Sequence, residues 1–192
     1  MLKTKIIAAD LQNLTDARYF AAWLVEYMSY DLSNANVDLS KVKEIMDWVE
    51  GPISIAQYTG MEDPQHIDTQ LTSLSIDHLI LGPYASEDLV NSDWQVIQSI
   101  LLDEEVDTLR SDRTYIAQTA DTFANFSDEK KNRLKEICNT NSIYLDCGFV
   151  ANDVEEILSL GIEGLVLRGG EEEKVGVKSY DDLDEIFEAL EE

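Results

Sequence analysis

The chain has 192 residues, with 39 Asp and Glu against 14 Lys and Arg, giving a formal net charge of -25 and a sequence pI near 4.1. Nucleic acid and anionic membrane surfaces are excluded as partners, because binding a polyanion needs clustered Lys and Arg and no such run occurs. A hydrophobic content of 44%, with three Trp, eight Tyr and five Phe, supplies a packed core and argues against disorder despite the charge.

In chain order, strand-like runs alternate with helix-like ones. KIIAAD (Lys5–Asp10) precedes a helical pattern over Asn13–Leu24, EYMSYD (Glu26–Asp31) one over Ser40–Glu50, and ISIAQY (Ile53–Tyr58) one over Pro64–Leu74. HLILG (His78–Gly82) leads to a short helix at Ser86–Asn91, VIQSIL (Val96–Leu101) to Glu104–Arg110, and RTYIAQT (Arg113–Thr119) to Asp128–Asn139. SIYLDC (Ser142–Cys147) leads to Asn152–Leu160, and GLVLR (Gly164–Arg168) to a last helix over Tyr180–Leu190. Strands separated by helices imply right-handed crossovers and a parallel sheet, and eight repeats imply closure into a (βα)8 barrel. The length suits a single domain over residues 1–192.

Local signals support these helices. In NDVEEILSL, Val154, Ile157 and Leu158 share one face, and Asn152 occupies the expected N-cap position. Ser179 opens YDDLDEIFEAL, whose apolar face is Leu183, Ile186, Phe187 and Leu190, with Asp181, Asp182 and Asp184 at the positive end of the helix dipole. Most of the acidic excess reads as the solvated outer face of barrel helices, with an acidic docking surface as the alternative. Glu171–Glu173 stands apart, since it follows the last strand. Trp23, Trp48 and Trp94 are expected to seal helices onto the barrel.

MLKTKIIAAD reaches Asp10 before an apolar leader core can form, and no stretch approaches the ~18–20 apolar residues of a membrane span, so a cytoplasmic protein is expected. Cys138 and Cys147 are expected to be free thiols, and two His without a CxxC leave no zinc pattern. No cofactor is expected. Asp10, Asp31, Asp121 and Asp146 could together offer oxygen ligands to Mg²⁺, without a recognisable spacing.

A barrel of this class builds its site at the C-terminal strand ends. Here those ends carry Ala9 and Asp10, Tyr30 and Asp31, Gln57 and Tyr58, Gly82, Gln118 and Thr119, Asp146 and Cys147, and Arg168 to Gly170. Cys147-Gly148-Phe149 leads to an Asn-capped helix and Arg168-Gly169-Gly170 to a second helical start. Glycines there let backbone N–H groups approach an anion, and a helix N-terminus adds positive dipole. Gly148, Arg168, Gly169 and Gly170 are therefore candidate phosphate ligands. The alternative is that the glycines serve tight turns and Arg168 is a surface charge or a partner for the neighbouring glutamates.

The stretch LDCGFVANDVEEILSLGIEGLVLRGGEEEKVGVKSYDDLDEIFEAL resembles the C-terminal quarter of phosphoribosylanthranilate isomerase. The family's Gly-Gly-Leu turn, capping Asn, Ser-Ser-Gly turn and Pro-Gly-Val-Lys-Asp segment correspond to Cys147-Gly148-Phe149, Asn152, Arg168-Gly169-Gly170 and Val175-Gly176-Val177-Lys178-Ser179. LQNLTDARYFA (Leu11–Ala21) likewise resembles the family's Leu-Thr-Asn-Leu-Glu-Asp-Ala run. The resemblance implies a (βα)8 barrel, a small phosphorylated substrate or ligand, an Amadori-type isomerisation of a phosphoribosylamine in tryptophan biosynthesis, and a homodimer as an alternative to a monomer.

That reaction needs a general base and a general acid. The family's basic Cys at the end of the first strand falls on Ala9, which takes no proton. Its acidic Asp at the end of the sixth strand falls on Gln118 or Thr119, with Asp121 just beyond, and its carboxylate-binding Arg falls near Ala35. Asp10, next to the missing Cys, and Asp121 are the remaining catalytic candidates, with Asp146 also near a strand end. Ala9 and Asp10 can both reach the barrel mouth only if the strand ends between them. The rival reading is a non-catalytic barrel that binds a phosphorylated metabolite or a protein partner. Cys147 reads as a buried or loop thiol rather than a nucleophile, and His66 and His78 as a helix-surface and a strand-end residue rather than an acid–base pair.

Overall fold

Eight parallel strands close on themselves in chain order in the computed structural model, which describes residues 1–34, 36–104, 109–170, 172–174 and 177–192. The strands are β1 (Lys5–Ala9), β2 (Tyr27–Asp31), β3 (Ile53–Tyr58), β4 (His78–Leu81), β5 (Gln95–Leu101), β6 (Thr114–Thr122), β7 (Ser142–Gly148) and β8 (Gly164–Arg168). The helices that return the chain are α1 (Leu14–Ala22), α2 (Leu39–Asp47), α3 (Pro64–Leu74), α4 (Glu87–Val90), α5 (Asp128–Cys138), α6 (Val154–Ser159) and α7 (Asp181–Leu190). The chain is thus the (βα)8 barrel that its alternating pattern implies. Most of the expected helix at Glu104–Arg110, residues 105–108, lies outside the described residues.

Capping side chains set where the helices begin. Asn13, Asp38, Asp63 and Ser127 each accept a hydrogen bond from a first-turn N–H, at Asp16, Ser40, Gln65 and Lys130 respectively, and Pro64 adds its fixed φ to the start of α3. Ser179 Oγ accepts from Asp181 N at 3.2 Å at the start of α7, whose Leu183, Ile186, Phe187 and Leu190 are all buried, as their spacing implies. Asn152 is not the cap of α6. A single 3₁₀ turn, Ala151–Asp153, precedes that helix, and the Asp153 carboxylate turns back to accept from Val150 N at 3.0 Å.

Strand residues are buried consecutively rather than alternately, as in Ile6–Ala9 and Leu79–Leu81, because one face looks into the barrel and the other is covered by helices. The residues group into two compact units, Met1–Ile6 with Leu101–Glu192, and Ile7–Ile100. In the first, Lys3 N donates to Leu190 O at 2.8 Å and Leu2 bridges Glu191, tying the N-terminus to the end of α7. In the second, the buried Tyr58 hydroxyl donates to Gln70 Oε1 at 2.8 Å and Ser29 Oγ to Gln57 Oε1 at 3.2 Å, so its buried polar groups are paired.

Three features depart from the sequence pattern. β6 runs on to Thr122, because Gln118 pairs with Asp146 and Thr122 with Gly148, four steps of β6 against two of β7. That bulge carries Thr119 and Asp121. After β8 the chain forms an antiparallel pair, β9 (Glu172–Lys174) and β10 (Val177–Lys178), instead of entering a helix directly. Trp48 is 62% exposed beneath the Arg18 guanidinium, 5.2 Å from its ring centroid, and so does not seal its helix as expected; Trp23 and Trp94 are half-buried.

Gly164 marks a close approach. A Cβ there would lie 2.4 Å from the Tyr144 ring and 2.6 Å from the Lys5 carbonyl oxygen. Gly164→Ala is expected to cost about 1–3 kcal/mol through overpacking, read as a fall in Tm of roughly 3–10 °C. Leu24 ends α1 with φ +57° and is exposed, so Leu24→Gly relieves left-handed strain without losing packing and is expected to raise stability by about 1 kcal/mol in a denaturant titration.

Candidate functional site

The C-terminal ends of β6, β7 and β8 bring three polar side chains together. Asp146, the fifth residue of β7, is 11% exposed at its side chain, and a carboxylate so withdrawn from water needs charge and hydrogen-bond partners. Arg168, the last residue of β8, supplies both. Its Nη1 donates to Asp146 Oδ1 at 2.6 Å and its Nη2 to Asp146 Oδ2 at 2.8 Å, a two-point fork that fixes the guanidinium plane. Gln118 Nε2 on β6 adds a longer contact to Oδ2 at 3.4 Å. Arg168 is half exposed, and its charge is offset by Asp146.

The expected phosphate ligands Gly148, Gly169 and Gly170 lie on the same strand ends as this fork. β7 and β8 pair in register at Tyr144 with Gly164 and Leu145 with Leu165. Gly148 lies against β6, where an added Cβ would meet Thr122 Cγ2 at 3.1 Å. Gly169 and Gly170 continue from Arg168, and a Cβ on Gly170 would come within 2.2 Å of Ser179 O, so only glycine lets the chain pass the approach to α7. Of the expected pairing of Arg168 with its neighbouring glutamates nothing follows here, since Glu171 and the side chains of Glu172 and Glu173 lie outside the described residues.

Beside the fork stands a second ionic cluster whose centre, Lys130, has no signal in the sequence. Lys130 lies in the first turn of α5, and its Nζ donates to Thr119 Oγ1 at 2.8 Å, to Asp121 Oδ2 at 2.9 Å and to Asp103 Oδ1, while sitting 4.6 Å from the Phe126 ring centroid. Thr119 Oγ1 in turn donates to Asp103 Oδ2 at 2.6 Å. Burial opposes the charge of Lys130, but the hydrogen bonds to Asp103 and Asp121 outweigh it and raise its pKa. The hydrogen bond from Lys130, then that from Thr119, hold Asp103 below the usual carboxylate range. Asp121 therefore lies on the β6 bulge as an ion-pair partner of Lys130.

Asp10 immediately follows β1 with φ +57°, so the strand does end between Ala9 and Asp10. Ala9 is buried at 3% exposure. Ala35, where the carboxylate-binding arginine was expected, lies outside the described residues. Among the described residues no three of His, Cys, Asp and Glu converge to hold a metal, so Asp10, Asp31, Asp121 and Asp146 do not form the Mg²⁺ cage considered above. His66 is an exposed residue of α3, and His78 opens β4 with Nδ1 2.7 Å from Asp77 Oδ1. Both cysteines are free thiols. Burial, reinforced by Asp146 and Asp153, pushes Cys147 up to about 12, and burial pushes Cys138 up to about 11.

A closed barrel of eight parallel strands with its polar side chains gathered at the C-terminal ends defines the (βα)8 class. Within that class, the chain has the fold of the phosphoribosylanthranilate isomerases. The enzyme of that name from Thermus thermophilus superposes with a TM-score of 0.74 at 16% identity, covering 97% of this chain and 98% of that one. A phosphoribosylanthranilate isomerase in complex with reduced 1-(o-carboxyphenylamino)-1-deoxyribulose 5-phosphate gives 0.73 at 14% identity, with the same coverage. The 3-hexulose-6-phosphate synthase of Salmonella typhimurium gives 0.66 at 12% identity, again over 97% and 98% of the two chains. No family model and no curated protein matches the sequence.

With their pKa values near 12 and 11, against 9.0 for an ordinary thiol, Cys147 and Cys138 are expected to react with iodoacetamide at pH 8 at least about a hundredfold more slowly in the native protein than after unfolding. Because the Asp103 pKa is lowered in the folded state, its stabilisation is present above the ordinary carboxylate range and is lost as pH falls through the lowered value. Asp103→Asn is therefore expected to flatten the acid limb of a Tm-against-pH curve while lowering Tm at neutral pH.

Proposed function

We propose that this chain is a ligand-binding barrel for a small phosphorylated sugar or sugar-amine, and that it does not perform the proton transfers of the isomerases whose fold it shares. The observation that carries the reading is the strand-end arrangement of β7 and β8, where Asp146 orients the Arg168 guanidinium and Gly148, Gly169 and Gly170 lie at the same strand ends. Glycine backbone next to a guanidinium oriented by a carboxylate suits phosphate oxygens. Two of the solved structures with this fold carry a sugar phosphate in their names, a deoxyribulose 5-phosphate adduct and a hexulose 6-phosphate, which supports the same ligand class.

The missing proton transfer follows from residue chemistry. Ala9 presents a methyl group where a base is needed, and loss of a single acid or base costs roughly 10²–10⁴-fold. Asp121 is engaged by Lys130 and Asp146 by Arg168, so both strand-end carboxylates already serve as anions to fixed cations. Two unpaired thiols fit a cytoplasmic setting.

One observation favours a second reading, in which isomerase chemistry persists. Asp10 adopts the left-handed region directly after β1, and strained non-glycine backbone is concentrated at functional positions. Asp10 would then be the base in place of the absent Cys.

Ribulose 5-phosphate at millimolar concentration is expected to raise Tm by a few degrees, ribulose is expected to leave it unchanged, and Arg168→Ala is expected to abolish the shift. Absence of any shift with the phosphorylated sugar would overturn the binding reading. Expression in a tryptophan auxotroph lacking the isomerase is expected to give no growth. Growth that Asp10→Asn removes would establish the second reading instead.

A further inference from the structure

A cavity of about 320 Å³ opens beside the ends of β1 and β2, inside the Ile7–Ile100 unit and on residues that the proposed phosphate site does not use. Its volume falls at the lower end of the roughly 300–1,000 Å³ of small-molecule pockets. The inner wall is apolar. Leu11, Val42 and Ile45 line it with the body of Tyr30, whose hydroxyl burial pushes up to about 12. Tyr30 is thus a neutral wall at every physiological pH.

The rim is charged, and its charges are kept apart. Asp31 uses Oδ1 to accept from Ser33 N at 2.9 Å and Ser33 Oγ at 2.6 Å, and Asp38 uses Oδ1 to accept from Ser40 N at 3.0 Å and Lys41 N at 3.3 Å. These bonds pin both carboxylates to the backbone and leave each Oδ2 without a protein partner among the described residues. Lys41 lines the same cavity, and its ammonium makes no ion pair among the described residues, with either carboxylate or with any other. In a chain of net charge -25, a lysine that leaves two nearby carboxylates unpaired is positioned to meet something else.

We propose that this cavity is a second binding site, for a free α-amino acid with a large apolar side chain. The side chain would enter the apolar floor, the α-ammonium would meet Asp31 or Asp38, and the α-carboxylate would meet Lys41. A zwitterion is the ligand class that uses both signs at the rim and escapes the repulsion that the acidic surface imposes on a simple anion. A plain amine would leave Lys41 unsatisfied, and a plain acid would face the two carboxylates unpaired.

Thermal shift with L-phenylalanine and L-leucine tests this against two controls, phenethylamine and 3-phenylpropionate. At about ten times Kd the amino acids are expected to raise Tm by roughly 3–5 °C, and both controls are expected to give less than a third of that. Lys41 is exposed, so Lys41→Ala should fold normally; it is expected to abolish the amino-acid shift, whereas Arg168→Ala is expected to leave it intact. No shift with either amino acid at 10–20 times the ~1 mM range of weak small-molecule sites, an equal shift with either control, or a shift that survives Lys41→Ala would each overturn the proposal. Because the phosphate-site reading is probed by ribulose 5-phosphate and Arg168→Ala, either proposal can fail without the other.

Discussion

Most barrel strands are buried along runs of consecutive residues, on both faces, and that constraint governs the remainder of the molecule. A strand with two apolar faces must be covered outside by helices and filled inside by side chains, so Ile6 to Ala9 run as an unbroken buried stretch and polarity is displaced to the helix exteriors and the strand ends. Acidic residues sit in solvated first turns, such as Asp181, Asp182 and Asp184 of α7. Where a charge does enter the barrel wall, at Asp146, it is met at once by a guanidinium and an amide.

The chemistry at the strand ends follows from how those charges are committed. An isomerase needs groups that gain and lose protons near neutrality. The carboxylates of Asp146 and Asp121 are instead each held against a cation, and the two thiols are raised far above neutrality by burial. At the ends of β7 and β8 stand a half-exposed Arg168 and the glycines Gly148, Gly169 and Gly170, and the anion-binding role proposed above rests on them. A barrel can keep its architecture while its site changes, because the scaffold depends on strand burial and the chemistry on a handful of end residues.

The alternation of strand and helix was readable because it is a local property of hydrophobic spacing. β3, β8 and α3 have the bounds that the pattern implies, and α7 buries the four residues of its apolar stripe. The departures occur where longer-range contacts decide. The β6 bulge depends on pairing with β7, the β9–β10 pair on contacts after β8, and the surface stacking of Trp48 on Arg18 thirty positions away. Asn152 is a good capping residue by type, yet it lies inside a 3₁₀ turn before α6, and the Asp153 carboxylate accepts from Val150 N within that turn.

The sequence by itself determined the class of fold, a strongly acidic charge balance and an alanine at position 9, since each is a matter of residue type, count or spacing. Only the tertiary structure decided that Arg168 serves Asp146, that Asp121 serves Lys130, and that an apolar cavity lies beneath Asp31, Asp38 and Lys41. Those partners are separated by 22 residues in the first case and 9 in the second, and no periodicity encodes them. Electrostatic pairing acts across space once the strands have closed, whereas hydrophobic periodicity acts along the chain before they do.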